Sequence, residues 1–226
     1  MADLPNATKT RIIEVAESLF AEEGIAGTTL RQITTQADVN LAAVNYHFGN
    51  KQQLIHEVFQ RRLDVLAEER IARLEELKSQ SAASSLEDIL QALIYPALAI
   101  SRDETKGGLR FVKVMARAYA ENDSFLHQFL SDHYGYVIRQ FAAELKTLLP
   151  TTPDAELRWQ LDFVIGALTY VMADFGNHFS STMEMSAADI ADRLVAFAAA
   201  GMRRTEDDKL NGIQPPQKKT YSVNSR

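Results

Sequence analysis

Asn45, Tyr46 and His47 stand side by side in the run Leu41-Ala42-Ala43-Val44-Asn45-Tyr46-His47-Phe48. An amide, a phenol and an imidazole can hydrogen-bond base edges or phosphates. The small apolar side chains of Leu41-Ala42-Ala43 allow close approach to a groove floor and contact with a thymine methyl. Lys51 falls in the first turn of the helix that follows, where an amine and exposed N–H groups suit a phosphate. The chemistry expected of this cluster is recognition, not bond making. Catalytic and metal chemistry find little elsewhere. Cysteine is absent, which excludes disulfides, thiolate sites and thiol nucleophiles. The five histidines are His47, His56, His127, His133 and His178. Asp174 and His178 are spaced i, i+4, but one carboxylate and one imidazole do not complete a metal site. No nucleophile elbow or phosphate-cradling loop occurs, and Gly107-Gly108 by itself marks a turn. No catalytic residue, metal or cofactor is expected.

The elements that must hold this cluster are helical. Ile12, Ala16, Leu19 and Phe20 share one helix face, and Gly24 stands where that helix should stop. Thr29-Leu30-Arg31-Gln32 has the form of a capping box opening a second helix, with Leu30, Ile33 and Ala37 as its buried face. Asn40 is an N-cap for a third, short helix to about His47, and Asn50 opens a long fourth one from Lys51 to about Lys78. Two short helices joined by Ala37-Asp38-Val39-Asn40 have the length and turn of a helix-turn-helix, whose second helix enters a major groove. Helical hairpins of this size occur in many proteins, so length alone leaves open two packed structural helices. Val39, Val44 and Phe48 are assigned to the small core.

Residues 79–85 are a polar break, and further helices are expected over 86–101, 107–122, 124–149, 154–178 and 187–204. Pro96 should kink the first of these. No segment alternates as a strand does, so the expected class is all-α: an N-terminal three-helix helix-turn-helix domain and a larger helical C-terminal one. The tail holds Pro215-Pro216, Lys218 and Lys219 and reads as disordered.

The chain has 226 residues, 46% of them hydrophobic, a net charge of −6 and a pI near 5.4. In residues 1–62, Lys9, Arg11, Arg31, Lys51, Arg61 and Arg62 face Asp3, Glu14, Glu17, Glu22, Glu23, Asp38 and Glu57, a net of −1. That argues against indiscriminate nucleic-acid binding, which needs a broad basic surface, but leaves room for a small reading head. The N-terminus lacks a signal-peptide pattern, and no run is apolar enough to span a bilayer, so a soluble cytoplasmic protein is expected.

The run from Ala37 to Leu54, with Leu19-Phe20-Ala21-Glu22-Glu23-Gly24 and Gly27-Thr28-Thr29-Leu30-Arg31-Gln32-Ile33, closely resembles the DNA-binding domain of the TetR family of repressors over about residues 8–60. Two positions depart from the family's habit. Asp38 stands where a glycine is usual, at a turn position that tends to be left-handed, and Asn45 stands where many members carry tyrosine. The resemblance implies a DNA-facing set of Thr29, Arg31, Leu41, Ala42, Asn45, Tyr46, His47 and Lys51. It also implies domains at 8–54 for DNA binding and 55–205 for effector binding and dimerisation, with a tail at 206–226. The expected partners are double-stranded DNA carrying an inverted repeat, a second copy of the chain, and a small effector, with no membrane. Paired last helices, with Gly166, Ala167 and Ala173 along one side, would form the homodimer.

Aromatic and methionine side chains from Phe111 to Phe175 are mostly core, with a subset lining an apolar pocket. Val195–Arg203 together with Asn40–Phe48 looks like the fatty-acid-responsive members, which suggests a long-chain fatty acid or acyl-CoA. Arg110, Met115, Arg117, Trp159 and Phe163 are the ligand-binding candidates, with Arg110, Arg117 or Arg158 to hold a carboxylate or phosphates. An enzyme, or an interaction protein with a repurposed helix-turn-helix, are the rival readings.

Overall fold

The computed structural model describes residues 4–80, 83–103, 108–121, 124–174 and 186–210. They form α1 (Leu4–Glu23), α2 (Leu30–Gln36), α3 (Leu41–Phe48), α4 (Lys51–Ser79), α5 (Leu86–Arg102), α6 (Gly108–Glu121), α7 (Ser124–Leu148), α8 (Asp154–Asp174) and α9 (Ala187–Leu210). The class is all-α, as expected, and no strand occurs among the described residues. Among them, too, no helix is long and apolar enough to cross a membrane.

Local chemistry sets the helix ends. α1 stops at Gly24, whose φ of 84° suits a residue without Cβ. Thr29 and Gln32 form the expected capping box. The Gln32 amide donates to Thr29 Oγ1 at 3.2 Å, and the Thr29 amide donates to Gln32 Oε1 at 2.8 Å. Asn40 and Asn50 cap α3 and α4 by accepting from the Ala43 and Gln53 amides at 2.8 and 2.9 Å. Ser85 with Asp88 and Ser186 with Asp189 close the same box on α5 and α9. Hydrogen bonds from those serines hold both aspartates below the usual carboxylate range.

The helices of the N-terminal unit pack around Ile12, Ala16, Phe20, Ile33 and Val44, all fully buried, with Leu54 and Val58 from the start of α4. α4 then runs for 29 residues, about 44 Å, and carries Phe59, Leu66 and Leu74 into the larger core. α5 lies at the centre of that core, with Leu90, Leu93 and Ile94 fully buried. The helix continues through Pro96. Proline brings no N–H for the Ala92 carbonyl one turn back, and the neighbouring Leu93 carbonyl accepts from Arg70 Nε on α4 at 2.9 Å. α9 runs to Leu210, beyond the expected end near 204, because Thr205–Leu210 contains no glycine or proline to stop it. His178 of the conjectured Asp174–His178 pair and the 211–226 tail fall outside the described residues.

Candidate nucleic-acid interface and core cavity

The turn between α2 and α3 fixes how α3 is presented. The Ala37 amide closes α2 on Ile33 O at 2.9 Å, and Val39 N returns to Thr34 O at 3.0 Å. Between them Asp38 has φ 49°, the left-handed conformation that its place in the turn suggested. Its carbonyl accepts from Arg11 Nη2 at 3.4 Å, which ties the turn to α1. Gly49, with φ 75°, ends α3, and its amide donates to Asn45 O at 2.9 Å.

These constraints split α3 into two faces. Val44 is fully buried and Phe48 is 6% exposed, with Val39 packed half-buried beside them. On the other side Leu41 is 50% and Tyr46 82% exposed, and Ala42 and Asn45 are exposed with them. His47 is half-buried, its ring edge-on to Tyr46 at 5.1 Å. A phenol so exposed satisfies no packing need. The outward set is a short convex strip of two apolar contacts, one amide and one phenol. It can enter a groove and meet base edges.

The flanking candidates are partly engaged within the protein. Thr29 Oγ1 donates to Gln32 Oε1 at 2.6 Å, so its hydroxyl serves the helix cap. Lys51 Nζ donates to Ile25 O at 2.6 Å and so joins the start of α4 to the α1–α2 loop. Arg31 is exposed on α2. Three ion pairs brace α1 against α4 behind this unit: Lys9–Glu57 at 2.9 Å, Glu14–Arg61 at 3.4 Å and Glu17–Arg62 at 3.1 Å.

In the larger unit, α4 to α8 line a half-open cavity of about 580 Å³. Its lining is mostly apolar, from Leu63, Leu66, Phe111, Met115, Ile138 and Met172 among others, with Arg70, Ser131, Tyr134, Asp162 and Thr169 as the polar groups. Tyr134 Oη donates to Asp64 Oδ1 on α4 at 2.8 Å. Burial, and then that bond, push its phenol well above the usual range. Of the five ligand candidates, Met115 lines this cavity and the others do not. On α6 the residues Phe111, Val112 and Met115 point inward, so Arg110 and Arg117 stand on the opposite, exposed side. Trp159 and Phe163 are 61% and 68% exposed on the outer face of α8. Arg158 is exposed as well.

Sequence reasoning missed Arg70, Gly135 and Asp162. Arg70 had a signal: it interrupts the stripe Leu63, Leu66, Ala67 and Leu74, whose spacing puts it on the buried face of α4.

The comparisons with known proteins agree with this arrangement. Residues 12–58 match the family described as bacterial regulatory proteins, tetR family. Residues 91–201 match the tetracyclin repressor-like C-terminal domain. The chain is 42% identical over 67 residues to an HTH-type transcriptional regulator encoded in the dhlA 5′ region of Xanthobacter autotrophicus, covering 28% of this chain and 33% of that protein. It is 38% identical over 63 residues to an HTH-type transcriptional repressor of Streptomyces coelicolor, again covering 28% of this chain and 33% of that protein. These matches therefore span about a third of each relative. Over nearly the whole fold, the chain resembles the structure of the fatty acid degradation regulator FadR from Bacillus halodurans. There the TM-score is 0.63 at 15% identity, covering 87% of this chain and 96% of that one. The two family matches together span more than half of the sequence, one on the helix-turn-helix and one on the helical body, and the chain belongs to the tetR family of bacterial regulatory proteins.

Proposed function

We propose that this chain is a transcriptional regulator that binds an inverted-repeat operator as a homodimer and lets go of it when a small apolar molecule fills the core cavity. The observation that carries the reading is the outward face of α3, where Leu41, Ala42, Asn45 and Tyr46 are exposed on a helix whose other face is locked into the core. Residues 8–54 act as the reading unit and 55–205 as the effector and dimerisation unit, and α9 carries the second unit on to Leu210, into the stretch expected as tail. Thr29, Arg31, His47 and Lys51 flank the reading face and meet phosphates or neighbouring bases. Repression is the direction proposed, by occlusion of a promoter in the cytoplasm.

Dimerisation rests on the outer faces of α8 and α9, where Trp159, Phe163, Tyr170 and Phe197 are all more than 60% exposed. Burial of such a face against its symmetry mate is strongly favourable. A two-fold dimer sets two recognition helices about 34 Å apart, one turn of DNA. Release follows if the effector favours a conformer with a different spacing, in which case effector and DNA weaken each other by one common factor. The effector proposed is a long-chain fatty acid or acyl-CoA. The apolar lining of the cavity supports the acyl chain, and Arg70 is a cation within that lining.

Selection from a pool of random duplexes tests this reading. The recovered sites should be inverted repeats whose half-sites are centred about one helical turn apart. Enrichment of isolated half-sites, or none by a folded dimer, would contradict it.

A further inference from the structure

The hydrogen bonds already made by the polar groups of the core cavity have fixed directions, and those directions select a kind of ligand. Tyr134 and Thr169 stand half-buried in the cavity wall. Tyr134 Oη donates to Asp64 Oδ1 at 2.8 Å, and Thr169 Oγ1 donates to Ile165 O at 2.8 Å. An ionised carboxylate and a main-chain carbonyl only accept, so both hydroxyl protons are committed within the protein. Burial and the bond to Asp64 keep the phenol protonated, far above its usual range. What these two hydroxyls offer the cavity is lone pairs.

The rest of the lining does little to change that. Asp162 is another acceptor, exposed at the rim together with Ser131. Arg70 brings donors, but its Nε is held by Leu93 O at 2.9 Å. It also stands six residues beyond Asp64 on α4, about 9 Å along the helix axis. A ligand whose oxygen can only accept, such as an ether, would set lone pair against lone pair at Tyr134. A hydroxyl on the ligand supplies the missing proton, and a polar group buried without its partner costs more than such a bond gains. We propose that the cavity takes an apolar chain that carries a hydroxyl group, and that this hydroxyl donates to Tyr134 Oη. The bound ligand extends a run of hydrogen bonds from its own hydroxyl through Tyr134 to Asp64 on α4, in which each bond polarises the next. This rests on the effector reading above and narrows it from an acyl chain to a hydroxylated one.

Two isomers test it, 1-decanol and 1-methoxynonane. They have the same atoms and differ in whether the oxygen carries a proton. Isothermal titration into the full chain measures both. The alcohol should bind at least tenfold more tightly, although it is the better hydrated of the two and loses more on leaving water. Tyr134→Phe should cut that preference to about threefold or less. Asp64→Ala removes the acceptor of the phenol proton at an exposed position. The freed phenol can then donate into the cavity, so the ether should bind at least fivefold more tightly than it does to wild type. A merely structural role for Tyr134 would not produce that gain. Equal binding of the isomers by wild type, or binding of neither, would overturn the proposal. So would a preference that survives in Tyr134→Phe, or one lost instead in Thr169→Val, which would give the ligand's hydroxyl to Thr169. An unchanged ether affinity in Asp64→Ala would do the same. A folded chain that shows the preference yet binds no operator would leave this proposal standing and sink the regulator reading. Operator release by decanoate, with no preference between the isomers, would do the reverse.

Discussion

Tyr134 on α7 donates its hydroxyl to Asp64 on α4 at 2.8 Å, and the same tyrosine lines the core cavity. α4 begins three residues after α3 ends, so the bond links the cavity wall to the helix that carries the reading unit. Tyr134→Phe should cost about 1 kcal/mol of stability, the usual worth of one such hydrogen bond. Operator affinity without effector should stay within about threefold, while the effector's influence on that affinity should drop several-fold. Operator titrations with and without effector check this, and full retention of the coupling would remove Tyr134 from the relay.

The two tyrosines that tie helices to aspartates predict an alkaline limit. The bond to Asp192 pushes Tyr95 up to about 12, and Tyr134 is raised too, mainly by burial. A raised folded-state value means that folding favours the protonated phenol. The contribution is complete below the ordinary phenol value of about 10 and is lost as pH climbs through the folded one. Thermal midpoints should thus decline above about pH 10, and less steeply in the Tyr95→Phe, Tyr134→Phe double variant. Equal slopes for the two proteins would refute the assignment.

Glu17 and Arg62 form the most buried of the ion pairs between α1 and α4, with side chains 2% and 12% exposed. Breaking such a pair strands a charge, so Glu17→Ala should cost about 3 kcal/mol. Glu17→Leu with Arg62→Met should recover much of that, because no buried charge is left. Urea unfolding of the two single variants and the double one measures the difference, and strict additivity would argue against a direct pair.

Asp38 is the only residue other than glycine with positive φ among the described residues. Asp38→Ala should destabilise by about 1 kcal/mol, since alanine lacks the tolerance of aspartate for that conformation. Asp38→Gly should match or exceed wild type. Calorimetry gives the order directly, and an alanine variant as stable as the glycine one would contradict it.

Local chemistry was legible in the sequence. Thr29 with Gln32, Asn40 and Gly24 set helix ends through contacts within a few residues, and the periodicity of Ile12, Ala16 and Phe20 named the core face. What depended on packing between distant elements was not. Nothing near Lys51 in sequence tells that its amine reaches the Ile25 carbonyl. The cavity is a volume left by five helices, and no one of them encodes it. Trp159 and Phe163 have the apolar type of pocket residues, yet type does not say which partner covers them. Arg110 and Arg117 were separable in principle, because the helical phase of α6 sets them opposite Met115.

Fluorescence anisotropy tests whether α3 reads DNA through its exposed face. Wild type and Tyr46→Ala would be titrated onto a labelled duplex obtained by selection, with excess nonspecific competitor, at several salt concentrations. Wild type should bind despite competitor, with an affinity that weakens sharply with salt. Tyr46→Ala should lose at least tenfold in affinity, with unchanged thermal stability because that side chain is 82% exposed. Equal affinity of the two proteins, or binding that competitor abolishes, would contradict it.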